Sequence, residues 1–470
     1  MLALKRNKRA IEFTEGKIMG KMLLFILPII ATNFLQMFYN IADTVIVSLS
    51  AEKDAVGAVG ITSPMLSFIL NFISGTTVGI NVVVAKYLGS KNEEDVSKSI
   101  HTSFLFMLIL GGIATVLGLS FSRPILVLMG GREEFLELAV RYTRVYFLGT
   151  PFVALVNWGA AILRANGDNQ TALKILSFSG ITNVVLNLVF VLFLKMSVEG
   201  VAIATVISNV VSFTLIFRHL LKQEGFLKFS FRKIRIHKDV LIRILRIGVP
   251  AALEGMVIST SDMMVQSALI RVNNLMTPVG SAFQPVIKGS VAHSSLEGFI
   301  GTCTGGVATA IVVFVAQNSG AGKYDRVKRT INIGYLLMLL FTVVPVILLT
   351  ILRRPLLSLY DVAPGVEGSL EQIAYQTAMT KIKVVWIPFF IITSASVGSG
   401  ALRGMGYSML VTIINLSGVV AFRIIWINTV FNAYPTLVTL LLCYPISSFL
   451  MSSAFFIFCR IKINKHRRLL

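Results

Sequence analysis

The stretch MLLFILPIIATNFLQMFYNIADTVIVS, Met22 to Ser48, decides how the chain is read. It is apolar and long enough to cross a bilayer, which takes about 20 residues as a helix. It also carries Asn33, Gln36, Asn40 and Asp43. Those positions step by three, four and three, so a helix brings them to one face. A carboxylate near the bilayer centre costs at least ~2.5–3.5 kcal/mol, so the stripe cannot look at lipid. It must face other helices or water. With a rise of 1.5 Å per residue, Asp43 lies about 33 Å along the helix from Lys21, in the outer half of the span. The helix is therefore expected to wall a polar cavity, with Asp43 as the ion- or proton-binding group and Asn40 and Gln36 beside it.

The rest of the chain has the same character. Its 470 residues are 55% hydrophobic and only 14% charged, with a mean hydropathy of +0.79. Soluble domains carry about 25% charged residues. Apolar runs recur near 22–48, 55–86, 99–121, 136–163, 171–194, 201–221, 240–270, 291–316, 331–352, 374–402, 409–430 and 437–459. The length rule makes that about twelve helical spans, an all-α integral membrane protein. The short alternating segments of a membrane β-barrel are not found. The first span is too long for a signal-peptide core and lacks a cleavage-like end, so it is expected to be retained.

The net charge of +21 would suggest nucleic acid in a soluble protein. Here the basic residues sit in short loops and tails, as topology and anionic lipid headgroups require. With the tail bearing Lys5, Arg6, Lys8 and Arg9 in the cytoplasm, the even-numbered connections are cytoplasmic as well. They hold Lys91 and Lys98, Arg164 and Lys174, the run from Lys222 through Lys228, Arg232, Lys233 and Arg235 to Lys238, then Lys323, Arg326, Lys328 and Arg329, and Arg403. The opposite connections hold only Lys53, Arg123, Arg132, Lys195, Arg271, Lys288, Arg353 and Arg354. Both termini are thus expected in the cytoplasm. Cys303, Cys443 and Cys459 lie in apolar stretches without paired spacing, so neither a disulfide framework nor a zinc site is expected.

The chain also repeats itself. GTTVGINVVVAKYLGSKNEEDVSKSI from Gly75 can be laid on GVATAIVVFVAQNSGAGKYDRVKRTI from Gly306, pairing Ala85 with Ala316, Gly89 with Gly320 and Val96 with Val327. LRANGDNQ from Leu163 matches LRGMGYSM from Leu402, pairing Arg164 with Arg403 and Gly167 with Gly406. Two homologous six-helix halves follow, and such repeats mark transporters with a midplane site. The expected division is a tail (1–20), an amino-terminal lobe (21–222), a basic cytoplasmic linker (223–239), a carboxy-terminal lobe (240–460) and a basic tail (461–470).

Other polar residues inside the spans are candidates by default. Ser179, Asn183 and Asn187 share one helical face; they are either interhelical glue or oxygen ligands that would place Na⁺ at Asp43 and Asn183. In the second half stand Glu254, the face Ser259, Asp262 and Gln266, and the i, i+4 pair His293 and Glu297, an ion pair or a proton relay. Asp262 matches Asp43 when STSDMMV is laid on NIADTVI. Arg164 and Arg403 read as snorkelling, orienting residues at span ends. Proline at 28, 64, 151, 250, 345 and 388 can kink spans. Phe34, Phe38, Tyr39, Phe152, Trp158, Trp386, Phe389 and Phe390 either pack or line a cavity for flat cations; Phe38, Tyr39, Phe152 and Trp158 are the substrate-cavity candidates. No GxxxxGK[ST] nucleotide loop occurs.

These residues resemble a known family. LPIIATNFLQMFYNIADTVIV, LGSKNEEDV, LRANGDNQ, ITNVVLNLVF, GVPAALEG, LEGFI and VAQNSGAGKYDRVKR are similar to segments of the multidrug and toxic compound extrusion (MATE) transporters, particularly the bacterial branch. The resemblance runs from about Gly16 to Arg460. It implies two six-helix lobes facing each other as a V, and export of cationic amphipathic drugs against inward Na⁺ or H⁺ across the plasma (inner) membrane. It implies that Asp43 binds the coupling ion with Asn183 beside it. Asn187 departs from the pattern, since many relatives place aspartate there. The second-half acids find no clean counterpart in the resemblance and rest on the residues alone. No other cofactor and no nucleic acid are expected; the partners are small cationic drugs and lipid, and the chain is expected to be a monomer. A lipid-linked oligosaccharide flippase of the same wider superfamily is the alternative, and would show basic residues inside the cavity. The spans read instead as acid- or amide-bearing, apart from Lys86 and the span-end arginines. An integral membrane enzyme is the other alternative, with His293 and Glu297 as its only hint.

Overall fold

The computed structural model describes residues 11–48, 55–130, 133–278 and 283–468. Lys5, Arg6, Lys8, Arg9, Lys53 and Arg132, which entered the charge argument, lie outside the described residues. Every described element is helical. The first half holds α1 (Ile18–Ser48), α2 (Ala55–Gly89), α3 (Glu93–Leu128), α4 (Glu133–Leu148), α5 (Thr150–Asn166), α6 (Asn169–Leu188) and α7 (Val198–Leu221). Then come α8 (Lys238–Met276), α9 (Pro285–Gly320), α10 (Tyr324–Ile351), α11 (Arg353–Ser358), α12 (Leu370–Lys381), α13 (Phe389–Gly404), α14 (Ser408–Asn415), α15 (Phe422–Trp426), α16 (Leu437–Leu441) and α17 (Cys443–Arg467).

Among the described residues, nine helices are long and apolar enough to cross a membrane, or eleven when each of two bent pairs counts as one span. The 39-residue α8, which carries Glu254 and Asp262, is long enough for a twelfth. The bent spans are α4 with α5, at 48°, and Leu370–Trp386 with α13, at 47°. Each bend sits at an expected proline, Pro151 or Pro388, because the ring removes an N–H from the helical ladder. Pro28, Pro64, Pro250 and Pro345 sit inside continuous helices instead.

The chain divides into two compact units. One comprises the residues up to Leu253 with Ala316–Ala321; the other comprises Glu254–Val315 and Gly322–Leu470. In the first, α1 packs along α6, and α5 packs between α2 and α3. The basic connection after α7 is built into this unit. The His101 imidazole donates through Nδ1 to the Ser97 carbonyl at 2.7 Å and accepts the Ser230 N–H on Nε2 at 2.9 Å. Thr102 donates to the Arg235 carbonyl and accepts the His237 N–H, both at 3.1 Å. In the second unit, α13 packs against α10 and α17.

The internal repeat appears in the backbone. Gly167 and Gly406 end α5 and α13 in the left-handed conformation, at φ 84° and 96°. Their N–H groups bond to the Arg164 and Arg403 carbonyls, and the next residues bond back to Leu163 and Leu402. Both are Schellman closures, the reason glycine recurs there. Gly89 and Gly320 mark a second shared feature. A Cβ at Gly89 would overlap the Gln317 backbone, and a Cβ at Gly320 would overlap the Lys86 backbone. The repeat pairs Lys86 with Gln317 as well, so the two contacts are reciprocal. Both lie in the first unit. Gly89→Val and Gly320→Val should each cost about 1–3 kcal/mol of overpacking or more. Monodisperse yield on size-exclusion chromatography should fall for both and hold for Gly112→Ala, whose added Cβ meets open space.

Candidate functional site

Asp43 sits about one and a half turns from the end of α1, where α1 lies on α6. Asn187 Nδ2 donates to Asp43 Oδ1 at 2.5 Å and to Asn183 Oδ1 at 3.2 Å. Asn183 Nδ2 reaches Thr205 Oγ1 on α7 at 3.4 Å, and that hydroxyl donates to the Val201 carbonyl. The i, i+4 spacing of the two asparagines turns both amides toward α1 and α7. Asn183 and Asn187 are buried, and Asn187 Oδ1 is enclosed without a hydrogen-bond partner. Tyr142 and Tyr146 of α4 lie within electrostatic range of the carboxylate. The group thus holds a carboxylate, an orphaned amide oxygen and no ammonium or guanidinium within 4 Å among the described residues. Carboxylate and carbonyl oxygens suit a hard cation or a proton. No cluster of three His, Cys, Asp or Glu exists among the described residues.

The rest of the α1 stripe is arranged differently. Gln36 and Asn40 are exposed and Asn33 is partly buried. Ser179 is buried and its hydroxyl lacks a partner. Tyr39 crosses to α6, donating from Oη to the Ser177 carbonyl at 3.1 Å with its ring over Gly180. Phe38 is exposed, and the partly buried Phe152 stands 6.2 Å from Phe213. Trp158 is a core residue rather than a cavity wall. It is fully enclosed, donates from Nε1 to Ser103 Oγ at 3.0 Å and meets Phe104 edge-on.

The second unit holds the other three intramembrane acids. Glu254 is buried; Oε1 accepts from Arg403 at 2.5 Å and Asn415 at 2.8 Å, and Oε2 accepts from Thr412 at 3.2 Å. Arg403 is therefore a partner of Glu254 rather than a snorkelling, orienting residue alone. Arg164, its repeat counterpart, has no carboxylate within 4 Å among the described residues. Asp262 takes Arg423 Nη1 at 2.8 Å, and that guanidinium stacks 4.5 Å over Tyr444. His293 is fully enclosed beside Trp386, its Nδ1 3.5 Å from Glu297 Oε2, with neither ring nitrogen hydrogen-bonded. Gln266 is exposed, and the side chain of Ser259 lies outside the described residues.

Lys381 corrects one expectation outright. The spans are not free of internal cations, since Lys381 and Arg423 both stand inside them and are nine-tenths buried. Lys381 Nζ donates to Ser290 Oγ and Ser294 Oγ at 3.0 Å each and to the Ser290 carbonyl at 3.4 Å. Both bases fall within the expected spans 374–402 and 409–430, so asking which base could face each acid would have found them.

A MatE profile matches residues 28–189 and 289–428, once in each half. The chain belongs to the MatE family. It is similar to the probable multidrug resistance protein YoeA of Bacillus subtilis, at 27% identity over 86% of this chain and 85% of that protein. It is also similar to an FAD transporter of Shewanella oneidensis, at 25% identity over 70% and 71%. A solved outward-facing MATE transporter superposes with a TM-score of 0.87 at 20% identity, covering 99% of this chain and 100% of that one. MatE proteins are multi-pass membrane transporters, which sets the enzyme alternative aside.

Breaking a buried ion pair from one side costs about 3–5 kcal/mol, because the remaining charge is stranded. Glu254→Gln and Arg403→Gln should each lower the thermal midpoint in detergent by clearly more than Glu254→Gln/Arg403→Gln does. A double variant as damaged as the two single losses summed would deny the pairing.

Proposed function

We propose that this MatE protein is a plasma-membrane antiporter that exports cationic amphipathic compounds while H⁺ or Na⁺ moves inward through Asp43. The observation that carries this is the state of that carboxylate: it is held by the Asn187 amide and faces no cation among the described residues. An N–H donor steadies a carboxylate without cancelling its charge, so the group still demands a positive partner. An incoming ion and a cationic drug are the two available partners, and they exclude each other there. The membrane potential supplies about 2.3 kcal/mol per charge per 100 mV. A site that prefers the ion in one state and the drug in the other turns that energy into export. The multidrug names of relatives such as YoeA support this substrate class. The flippase alternative calls for cations inside the spans; Arg403 and Arg423 are instead paired with carboxylates, and Lys381 is held by serine oxygens. Both termini in the cytoplasm, a monomer, and two lobes joined through 223–239 complete the proposal.

Proteoliposomes loaded with ethidium, with Na⁺ and pH gradients imposed separately, test the reading. One gradient should drive efflux. Removing a charge-assisted contact is worth about 1.5–3 kcal/mol, so Asp43→Asn should cut ion affinity and driven efflux about 10–100-fold at unchanged protein level. Full efflux by that variant, or efflux indifferent to both gradients, refutes it.

A further inference from the structure

Five acids fall within the apolar runs: Glu137, which pairs with Arg123 at 3.0 Å near the start of α4, and Asp43, Glu254, Asp262 and Glu297. A carboxylate in that medium must be neutralised by a proton, a mobile cation or a cation tethered to the chain. The last three all have a tethered base nearby. Arg403 on α13 binds Glu254 at 2.5 Å, and Arg423 on α15 binds Asp262 at 2.8 Å. Glu297 stands 3.5 Å from His293, on the α9 face whose Ser290 and Ser294 hold Lys381 of α12. Asp43 is the exception: among the described residues its only side-chain donor is the uncharged Asn187.

Lys381 differs from the two arginines. It does not bond its carboxylate directly. Its ammonium sits in a cage of three oxygens, the Ser290 hydroxyl and carbonyl and the Ser294 hydroxyl, at 3.0, 3.4 and 3.0 Å. Glu297 lies one turn further along the same helix, three residues from Ser294. Neutral oxygens around a positive charge, with a carboxylate adjoining, are the ligand set of a bound alkali cation. A tethered ammonium occupies such a cage without the cost of capture from solution, so it outcompetes a free ion.

We infer that Lys381 is a resident counter-ion that fills a cation cage on α9, leaving Asp43 as the single exchangeable ion site of the cycle. This rests on the proposed role of Asp43 and adds its stoichiometry. Lys381 acts on ion binding as a specificity-determining residue, by withholding Glu297 and the serine oxygens from a second ion. Removing its charge must therefore create a binding site rather than destroy one.

The test counts ions on the purified full-length protein in neutral detergent, as ²²Na⁺ bound at equilibrium and as protons taken up in weak buffer. Transport is not needed for either readout. Wild type should bind one ion by one of these measures, and Lys381→Met should bind two. Lys381→Met/Glu297→Gln should return to one, and Lys381→Arg, which keeps the charge, should stay at one. A thermal melt like that of Lys381→Arg shows that the Met variant is folded. Wild type binding two ions, or a folded Lys381→Met that still binds one, overturns the inference. Asp43→Asn is the separate arm: one ion retained there refutes the Asp43 site and leaves the Lys381 comparison readable by itself.

Discussion

A carboxylate enclosed by helices and lipid keeps its charge only if something else supplies the stabilisation that water gave it. Moving an ion of that size out of water costs several kcal/mol even after the surroundings relax. The helices meet that demand in two ways. Around Glu254 and Asp262 they supply guanidinium groups, which return the local charge to zero and hold the geometry through directed N–H donors. Around Asp43 they supply an amide. Asn187 has one NH₂ group shared between Asp43 and Asn183, and its oxygen is buried without a partner. That arrangement stabilises an anion while leaving the net charge in place.

The two halves share a backbone plan and differ in charge. The Schellman closures at Gly167 and Gly406 repeat because both chain reversals need a residue with φ above zero. Gly89 and Gly320 repeat because two backbones approach too closely for a Cβ. Side-chain charges carry no such obligation. Arg164 and Arg403 occupy the same position before the same closure, yet only Arg403 finds an acid, because Glu254 lies on the helix it meets. Duplication thus preserved what packing demands and left each half free to settle its own electrostatics.

That distinction explains what could be read from the residues alone. The polar stripe of α1 and the i, i+4 asparagines of α6 were legible because helical period assigns them to faces. The repeat was legible through its glycines. The bends at Pro151 and Pro388 were legible too, but not that four other prolines would sit in continuous helices, since neighbouring packing decides whether a lost hydrogen bond opens a bend. Partnerships across helices were hidden. Thr205 looks like any threonine in an apolar span. Arg403 and Arg164 look alike until their neighbours are known. Lys381 and Arg423 were hidden too, because a basic residue in a span reads first as a topology signal, and a count of charges does not say which way a side chain points. Trp158 has the chemistry of a cavity residue, yet its indole is spent on Ser103.

The contact of α1 with α6 shows how a local charge can act on a helix pair. Two ties join them. At one level Tyr39 lays its ring over Gly180 and donates to the Ser177 carbonyl, a contact whose strength does not depend on ionisation of a carboxyl. One turn further along α1, Asn187 donates to Asp43, a charge-assisted bond roughly twice as strong as its neutral equivalent. A proton or cation on Asp43 competes for the same lone pairs and weakens the second tie while leaving the first intact. On the proposed role of Asp43, ion binding would thus loosen α1 from α6 at Asp43 while the contact at Tyr39 holds. Asn187 keeps its other N–H on Asn183, and Asn183 its contact with Thr205, so the amide stays anchored to α6 and α7 while the tie to α1 weakens.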